Sequence, residues 1–259
     1  MRNIPEDDLS NGLDAIKSQI LDVVESASAK GVVVGLSGGI DSAVVCALCS
    51  SVVDTKAILM PEVAANSTGD INDAIDVCEA FDVPYDIIEI GAASTMITDS
   101  YPQDIEKNTL AYINVRPRLR MTYLYLCANY EQRLVVGTSN KTETLLGYCT
   151  KYGDNAADFL PIANLWKTEV VRAAEILNIP ESILDKKPSA GLYEGQTDED
   201  ELGADYYVLD DILYNFVVEK REQKEISKCH DPSLVESIIK RIWENEHKRS
   251  MPLSLEVGF

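Results

Sequence analysis

No stretch of this 259-residue sequence reaches the roughly 20 consecutive apolar residues that a membrane span needs. The longest runs, GVVVGL and AVVCALCSSVV, are short, and the second carries serines. The start, MRNIPEDDLSNG, has acidic residues where a secretory leader has a basic start and an apolar core, which points to a cytoplasmic protein. Positive charge is also scarce: 23 Lys and Arg stand against 43 Asp and Glu, a formal charge of -20. Such a surface repels nucleic acid and anionic membrane, so neither is expected as a partner. The acidic residues are dispersed and not blocked, which fits solubility. Of the six cysteines, Cys46 and Cys49 form a CxxC at helical spacing, but no second pair completes a metal site, so they read as reduced core residues. Only two histidines occur, His230 and His247. His230 follows Cys229, yet side chains adjacent in sequence seldom face each other, so no nucleophilic dyad is expected. No internal repeat and no interdomain linker appears, and residues 1–259 read as one domain.

What is present is an ordinary globular composition, 46% hydrophobic and 25% charged. Leu9, Leu13, Ile16, Ile20, Val23 and Val24 recur at helical spacing and predict an amphipathic helix over 9–24. Strands are predicted at 32–36, 55–60, 85–90 and 133–140. Helices are predicted near 41–52, 69–82, 104–130 (bent or broken near Pro117), 166–178, 203–217 and 231–246. Residues 187–200, KPSAGLYEGQTDED, have the glycine, proline and polar content of a long loop. Loops of that length inside compact domains are usually functional or disordered. The β-α-β rhythm predicts an α/β fold, a parallel sheet with helices on both faces and right-handed crossovers. Ligands should gather at the C-terminal ends of its strands.

The most informative stretch is GVVVGLSGGIDSAVV, residues 31–45. A strand that runs into a glycine turn and then a helix aims backbone N–H groups and the positive helix end at one point, which suits phosphate. The turn Ser37-Gly38-Gly39-Ile40-Asp41-Ser42 matches neither GxxxxGK[ST] nor GxGxxG. It has an aspartate where a lysine is expected, and a carboxylate beside phosphate is repulsive unless a divalent cation lies between them, so the loop implies Mg2+. Read alone, Asp41 could instead cap the helix that follows.

This SGGxDS loop resembles that of the N-type ATP pyrophosphatases, which split ATP between the α and β phosphates. Further along, GTSNKTETLLGYCTKYGDNAADFLPIANLWKTEVVRAA (137–174), KKPSAGLYEGQTDEDELG (186–203), NVRPRLRM (114–121) and the terminal HKR (247–249) resemble, in the same order, the motifs of the ammonia-dependent NAD synthetases. That resemblance implies a Rossmann-like adenine nucleotide alpha hydrolase fold. It also implies the ATP-dependent amidation of nicotinic acid adenine dinucleotide to NAD with ammonia, through an acyl-adenylate, releasing AMP and pyrophosphate.

By the same resemblance, ATP is met by Gly35, Ser37, Gly38, Gly39, Ile40, Asp41, Ser42, Arg118, Thr138, Lys167 and Ser189, and Mg2+ is held by Asp41 and Glu143. Lys167 then supplies the cation that the loop lacks. Asn114, Tyr148, Lys151, Asp154, Asp158, His247 and Lys248 match positions lining the dinucleotide site. The resemblance further implies a homodimer, for which the apolar faces around 119–128 are candidates. It implies no fused glutaminase, with free ammonia or a separate amidotransferase supplying nitrogen. MPEVAANSTGDINDA, after the second strand, departs from many relatives, so no adenine contact is assigned within 61–70. The alternative enzyme is a pyrophosphatase of the same type with another acceptor, such as a GMP synthetase subunit or an RNA-thiolating ligase; the charge of -20 argues against RNA. The alternative outside catalysis is a nucleotide-sensing protein without turnover.

Overall fold

The apolar runs that begin at Val32, Thr55 and Leu134 pair as parallel strands at the centre of the molecule. The structure is a computed structural model that describes residues 4–62, 68–107, 109–186, 198–252 and 254–255. In it, β1 (Val32–Gly35), β2 (Thr55–Leu59), β3 (Tyr85–Ile87) and β4 (Leu134–Val136) form one sheet in the order β3-β2-β1-β4. Every pairing is parallel, with Val32 opposite both Thr55 and Leu134, and Ala57 opposite Tyr85. The helices before β4 are α1 (Glu6–Ser26), α2 (Ile40–Ser50), α3 (Thr68–Ala80), α4 (Gly91–Asp99), α5 (Leu110–Ile113) and α6 (Val115–Glu131). After β4 come α7 (Lys141–Leu146), α8 (Lys167–Ile176), α9 (Glu181–Leu184), α10 (Asp198–Leu202), α11 (Tyr206–Leu213), α12 (Gln223–Ile226) and α13 (Pro232–Glu244).

Alternation along β1 explains the layers. Val32 and Val34 pack on one face against Leu13, Ile20, Val44, Leu48, Val77 and Val170 from α1, α2, α3 and α8. Val33 faces the other way, with Ile58, Ile90, Val135, Leu124 and Ala128, under α6. A side chain such as Leu48, with no exposed surface, contributes about 1.5–3 kcal/mol by its burial. A third apolar cluster, Leu146, Leu209, Ile212, Leu213, Val235 and Ile238, joins α7, α11 and α13 beyond the sheet. Helices thus cover both faces, as the pattern predicted.

The differences from the sequence reading have local causes. The helix predicted over 104–130 is two helices that meet at Asn114, and 104–107 and 109 lie outside both. Pro117 does not break α6, because it sits in the first turn, where a missing N–H removes no intrahelical bond. The helix α4 was not anticipated; its sequence GAASTMITD is rich in glycine, serine and threonine, which hide helical periodicity. The strand predicted to reach residue 140 stops at Val136, since the polar tail leaves the sheet for α7. Tyr214–Val218 continue α11 as a π-helical turn. Cys46 and Cys49 are buried, and burial pushes the Cys46 thiol up to about 12 and raises that of Cys49, as befits inert core residues. Among the described residues no helix is long and apolar enough to cross a membrane.

The strand order places the site. From β1 the chain moves outward to β2 and β3, then returns to the other side of β1 for β4. The loops leaving the C-terminal ends of β1 and β4 therefore diverge and open a crevice at this switch point. Residues 36–41 and 137–143 are the two segments that flank it.

Candidate active site

The glycine loop owes its shape to contacts behind it. Gly38 adopts φ +78, and a Cβ there would lie 2.2 Å from the Asp70 carbonyl oxygen at the start of α3, so only glycine passes. Lys186 holds the same junction together: its ammonium donates to Asp70 at 2.8 Å and pairs with Asp73, beside the Gly38 carbonyl at 3.5 Å. Inside the loop the Ser42 hydroxyl accepts from Ser37 N at 3.2 Å and donates to the Gly39 carbonyl at 2.9 Å. The N-cap of α2 is Gly39, with no capping side chain. Asp41 is therefore not a cap but a first-turn residue, and no side chain caps the positive end of α2.

Asp41 faces across the crevice instead. Its Oδ1 accepts from Asn140 Nδ2 at 2.8 Å, and its Oδ2 accepts from the Lys167 ammonium. Asn140 is the N-cap of α7: its side chain accepts from Glu143 N at 3.0 Å, while Glu143 Oε2 accepts from Asn140 N at 3.4 Å. The cap leaves Glu143 Oε1 for Lys167, 3.4 Å away. Lys167, at the start of α8, has only 4% of its side chain exposed. Burial pushes the Glu143 carboxyl up to about 8, and the Asp41 charge adds to the rise while Lys167 opposes it. Burial also works against the Lys167 charge, but Asp41 and Glu143 together hold the ammonium above its ordinary range. The loop without a lysine thus has one, brought from a residue 126 positions away.

Two carboxylates aimed at one cation are a fit for Mg2+, which takes one or two protein carboxylates and completes its shell with water and phosphate oxygens. Among the described residues no cluster of three or more His, Cys, Asp or Glu offers an all-protein metal cage. The donor set therefore suits a metal that arrives with a phosphate.

Behind Glu143 and Lys167 lies a buried carboxylate, Asp210 of α11, 1% exposed. It accepts from Thr142 Oγ1 at 2.5 Å, Thr168 Oγ1 at 2.8 Å and Thr168 N at 3.0 Å. Burial raises its pKa while these donors lower it, with a net rise. Sequence reasoning missed both Asn140 and Asp210. Each left a signal: Asn140-x-x-Glu143 is a capping-box pattern, and Asp210 lies among the apolar positions Tyr206, Leu209 and Leu213 of one helical face.

The residues expected on the dinucleotide side separate into groups. Asn114 Oδ1 accepts from Thr150 Oγ1 at 2.7 Å, and Asp154 accepts from Thr150 N at 2.8 Å. Arg118 Nε donates to the Lys151 carbonyl at 3.3 Å, and Lys151 Nζ lies 3.5 Å from Nδ1 of the exposed His247. Asn114, Lys151, Asp154 and His247 thus lie around one segment, 150–154, and Arg118, expected among the ATP contacts, reaches the same segment. Lys248 points at backbone: its ammonium donates to the Gly147 and Cys149 carbonyls at 2.6 and 2.8 Å. With Arg249 on the Thr144 and Leu145 carbonyls and Arg241 on that of Leu146, it neutralises the C-terminal end of α7. Gly147, at φ +62, leaves no room for a Cβ beside Asn245.

Tyr148 and Asp158 go elsewhere. The Tyr148 hydroxyl lies 3.1 Å from Asp198 and 2.8 Å from Glu201, with Arg241 over its ring. Asp158 accepts from Val135 N at 2.7 Å and from the Tyr125 hydroxyl at 3.3 Å. Thr138 is half-buried just past β4. His230 pairs with Asp211 at 2.7 Å, while Cys229 is exposed. Ser189, most of the 187–200 loop and positions 63–67 of the 61–70 segment lie outside the described residues.

Comparison with known proteins matches residues 13–252 to the family described as NAD synthase. The chain is 39% identical over 255 residues to the NH3-dependent NAD+ synthetase of Thermococcus sibiricus, covering 96% of this chain and 98% of that protein. Among solved structures it is similar to an NH3-dependent NAD synthetase from Campylobacter jejuni in complex with a nitrate ion. That likeness has a TM-score of 0.81 and 32% identity, over 96% of this chain and 100% of the other. It is also similar to an NMN synthetase from Francisella tularensis, with a TM-score of 0.85 and 35% identity, over 96% and 99% of the two chains.

Proposed function

Since the chain belongs to the NAD synthase family, we propose that it amidates nicotinic acid adenine dinucleotide to NAD with ammonia, driven by cleavage of ATP to AMP and pyrophosphate. What carries this reading is the meeting of Asp41, Glu143 and Lys167 where β1 and β4 end. The Ser37–Ser42 loop and the uncapped start of α2 receive the β and γ phosphates, the part that leaves as pyrophosphate. Gly35 and Ile40 frame that loop, and Thr138, Arg118 and Ser189 complete the ATP contacts. Asp41 and Glu143 would hold Mg2+, which would supply screening of the phosphate charge. Lys167, already charged in the free protein, balances the same charge from the side of α8.

The nicotinate carboxylate, oriented by the cluster of Asn114, Lys151, Asp154 and His247, attacks the α phosphorus, and the bond from that phosphorus to the β-phosphate oxygen breaks. Ammonia then attacks the acyl carbon of the adenylate, and AMP leaves with the bonding pair. Lys248, Tyr148 and Asp158 act by holding the segments that carry these groups. The chain's work is alignment and charge stabilisation, with no covalent enzyme intermediate. We read the protein as a cytoplasmic homodimer that takes free ammonia or is fed by a separate glutaminase. The exposed Leu126 on α6 supports an interface there.

The test is to incubate the protein with Mg-ATP, nicotinic acid adenine dinucleotide and either ammonium or glutamine, and to measure NAD, AMP and pyrophosphate. Equal amounts of the three with ammonium are expected; ATP binding without NAD formation refutes the reading. Nicotinic acid mononucleotide in place of the dinucleotide tests whether amidation of the smaller acceptor, suggested by the likeness to the Francisella protein, is the better description.

A further inference from the structure

We propose that Asp210 is a positioning residue for this site, setting the spacing of Glu143 and Lys167 through the threonines next to each. The geometry is a bracket. Thr142 precedes Glu143, Thr168 follows Lys167, and both threonine hydroxyls donate to the one carboxylate on α11. Because the single hydrogen of Thr142 is committed to Asp210, its lone pair is free to accept from Lys167 N at 3.0 Å. One anion thereby fixes the polarity of a hydroxyl that joins the start of α7 to the start of α8.

All three side chains are buried: Asp210 is 1% exposed, Thr142 0% and Thr168 5%. As a strut alone, a buried carboxylate is a poor choice, since well-packed apolar groups generally do as well or better. What it adds is directional, because a carboxylate fixes two donors at set angles where an apolar side chain fixes none. The helix starts have other ties that do not involve it. Lys141 N donates to the Leu165 carbonyl at 2.8 Å, and Lys141 Nζ lies 4.5 Å over the Trp166 ring. The backbone approach of α7 to α8 therefore survives loss of Asp210, while the aim of Glu143 and Lys167 does not.

This inference rests on reading Asp41, Glu143 and Lys167 as the metal- and phosphate-handling group, and its test separates the two. Asp210→Asn and the near-isosteric Thr142→Val are compared with Ile212→Val, which loosens the same helix without touching the bracket. The measurements are melting temperature, kcat and KM for ammonium-dependent NAD formation, and the Mg2+ dependence of ATP binding by calorimetry. Both bracket variants should lose about tenfold or more in kcat, as small misplacements do, with KM for the dinucleotide little changed and the Mg2+ needed for ATP binding raised several-fold. Ile212→Val should melt lower with kcat intact. Asp210→Asn added to Lys167→Met should cost little beyond Lys167→Met alone, because the bracket acts through Lys167. Wild-type Mg2+ dependence in both bracket variants overturns the inference even if no NAD is formed. Losses that merely follow melting temperature, as in Ile212→Val, overturn it as well.

Discussion

Two glutamates at opposite ends of the sheet each face a lysine, and they behave in opposite ways. At the N-terminal end, Glu131 accepts from Lys56 at 2.5 Å and from Arg133 Nε at 2.8 Å, in a group that is partly open to water. The Lys56 and Arg133 hydrogen bonds hold its carboxyl below its ordinary range. At the C-terminal end, Glu143 stands beside a second carboxylate and shares one ammonium with it, and burial pushes it up to about 8. Residue types alike in sequence therefore make a staple at one end and a poised charge at the other. The difference lies in water and in pairing: Glu131 takes two cations, Lys56 and Arg133, whose other partners Asp86 and Asp54 are exposed, whereas Asp41 and Glu143 share the one buried Lys167. A carboxyl that gives up its proton only when a further cation comes beside it is suited to a divalent ion that arrives with its nucleotide.

The sharpest way to break this contrast is Asp41→Asn. It should lower turnover by about 10²–10³-fold while moving the melting temperature little, as read by AMP and pyrophosphate release beside calorimetry. A large loss of stability with turnover retained in the folded fraction would make Asp41 structural, and the two ends alike.

At the other end the prediction reverses. Arg133 bonds Glu131, both carboxylate oxygens of Asp54, and the Asp54 and Val32 carbonyls. Arg133→Met should cost about 2 kcal/mol and lower the melting temperature by about 4–8 °C, with kcat of the folded enzyme unchanged. A comparable fall in kcat would show that the ends are coupled through the sheet.

The smallest effect is one of pH. Glu143 keeps in the folded state a proton that the unfolded chain releases near 4.5, so its stabilising contribution is present below that pH and fades as pH rises towards about 8. Glu131 is shifted the other way, so its contribution is present at neutral pH and is lost as pH falls through its lowered folded value. Melting curves of Glu143→Gln should therefore gain on wild type by about 2–4 °C as pH rises to 8 and above. Those of Glu131→Gln should fall behind wild type at neutral pH and rejoin it in acid. Parallel slopes in the two variants would erase the distinction.

Much of the fold was legible because its signals are local. The Val32–Val34 run, the amphipathic α1 and the turn at Gly38 each express a short-range rule, and the element order followed from them. What was illegible also has a physical reason. Short helices such as α7 lack a full period of apolar residues, and α4 hides its face among one serine and two threonines. Lys248 matched a motif, but only the packing of α13 against α7 revealed that its ammonium serves the Gly147 and Cys149 carbonyls.

The sequence by itself determined the glycine loop, the aspartate within it and the family motifs, because a turn and its side-chain chemistry depend on neighbours a few bonds away. The tertiary structure decided that Lys167 lies between Asp41 and Glu143, that Asn140 orients both carboxylates, and that Asp210 stands behind them. Burial and charge pairing are properties of which helices close on one another. Here they join groups 126, 99 and 68 residues apart, a distance over which no local pattern carries information.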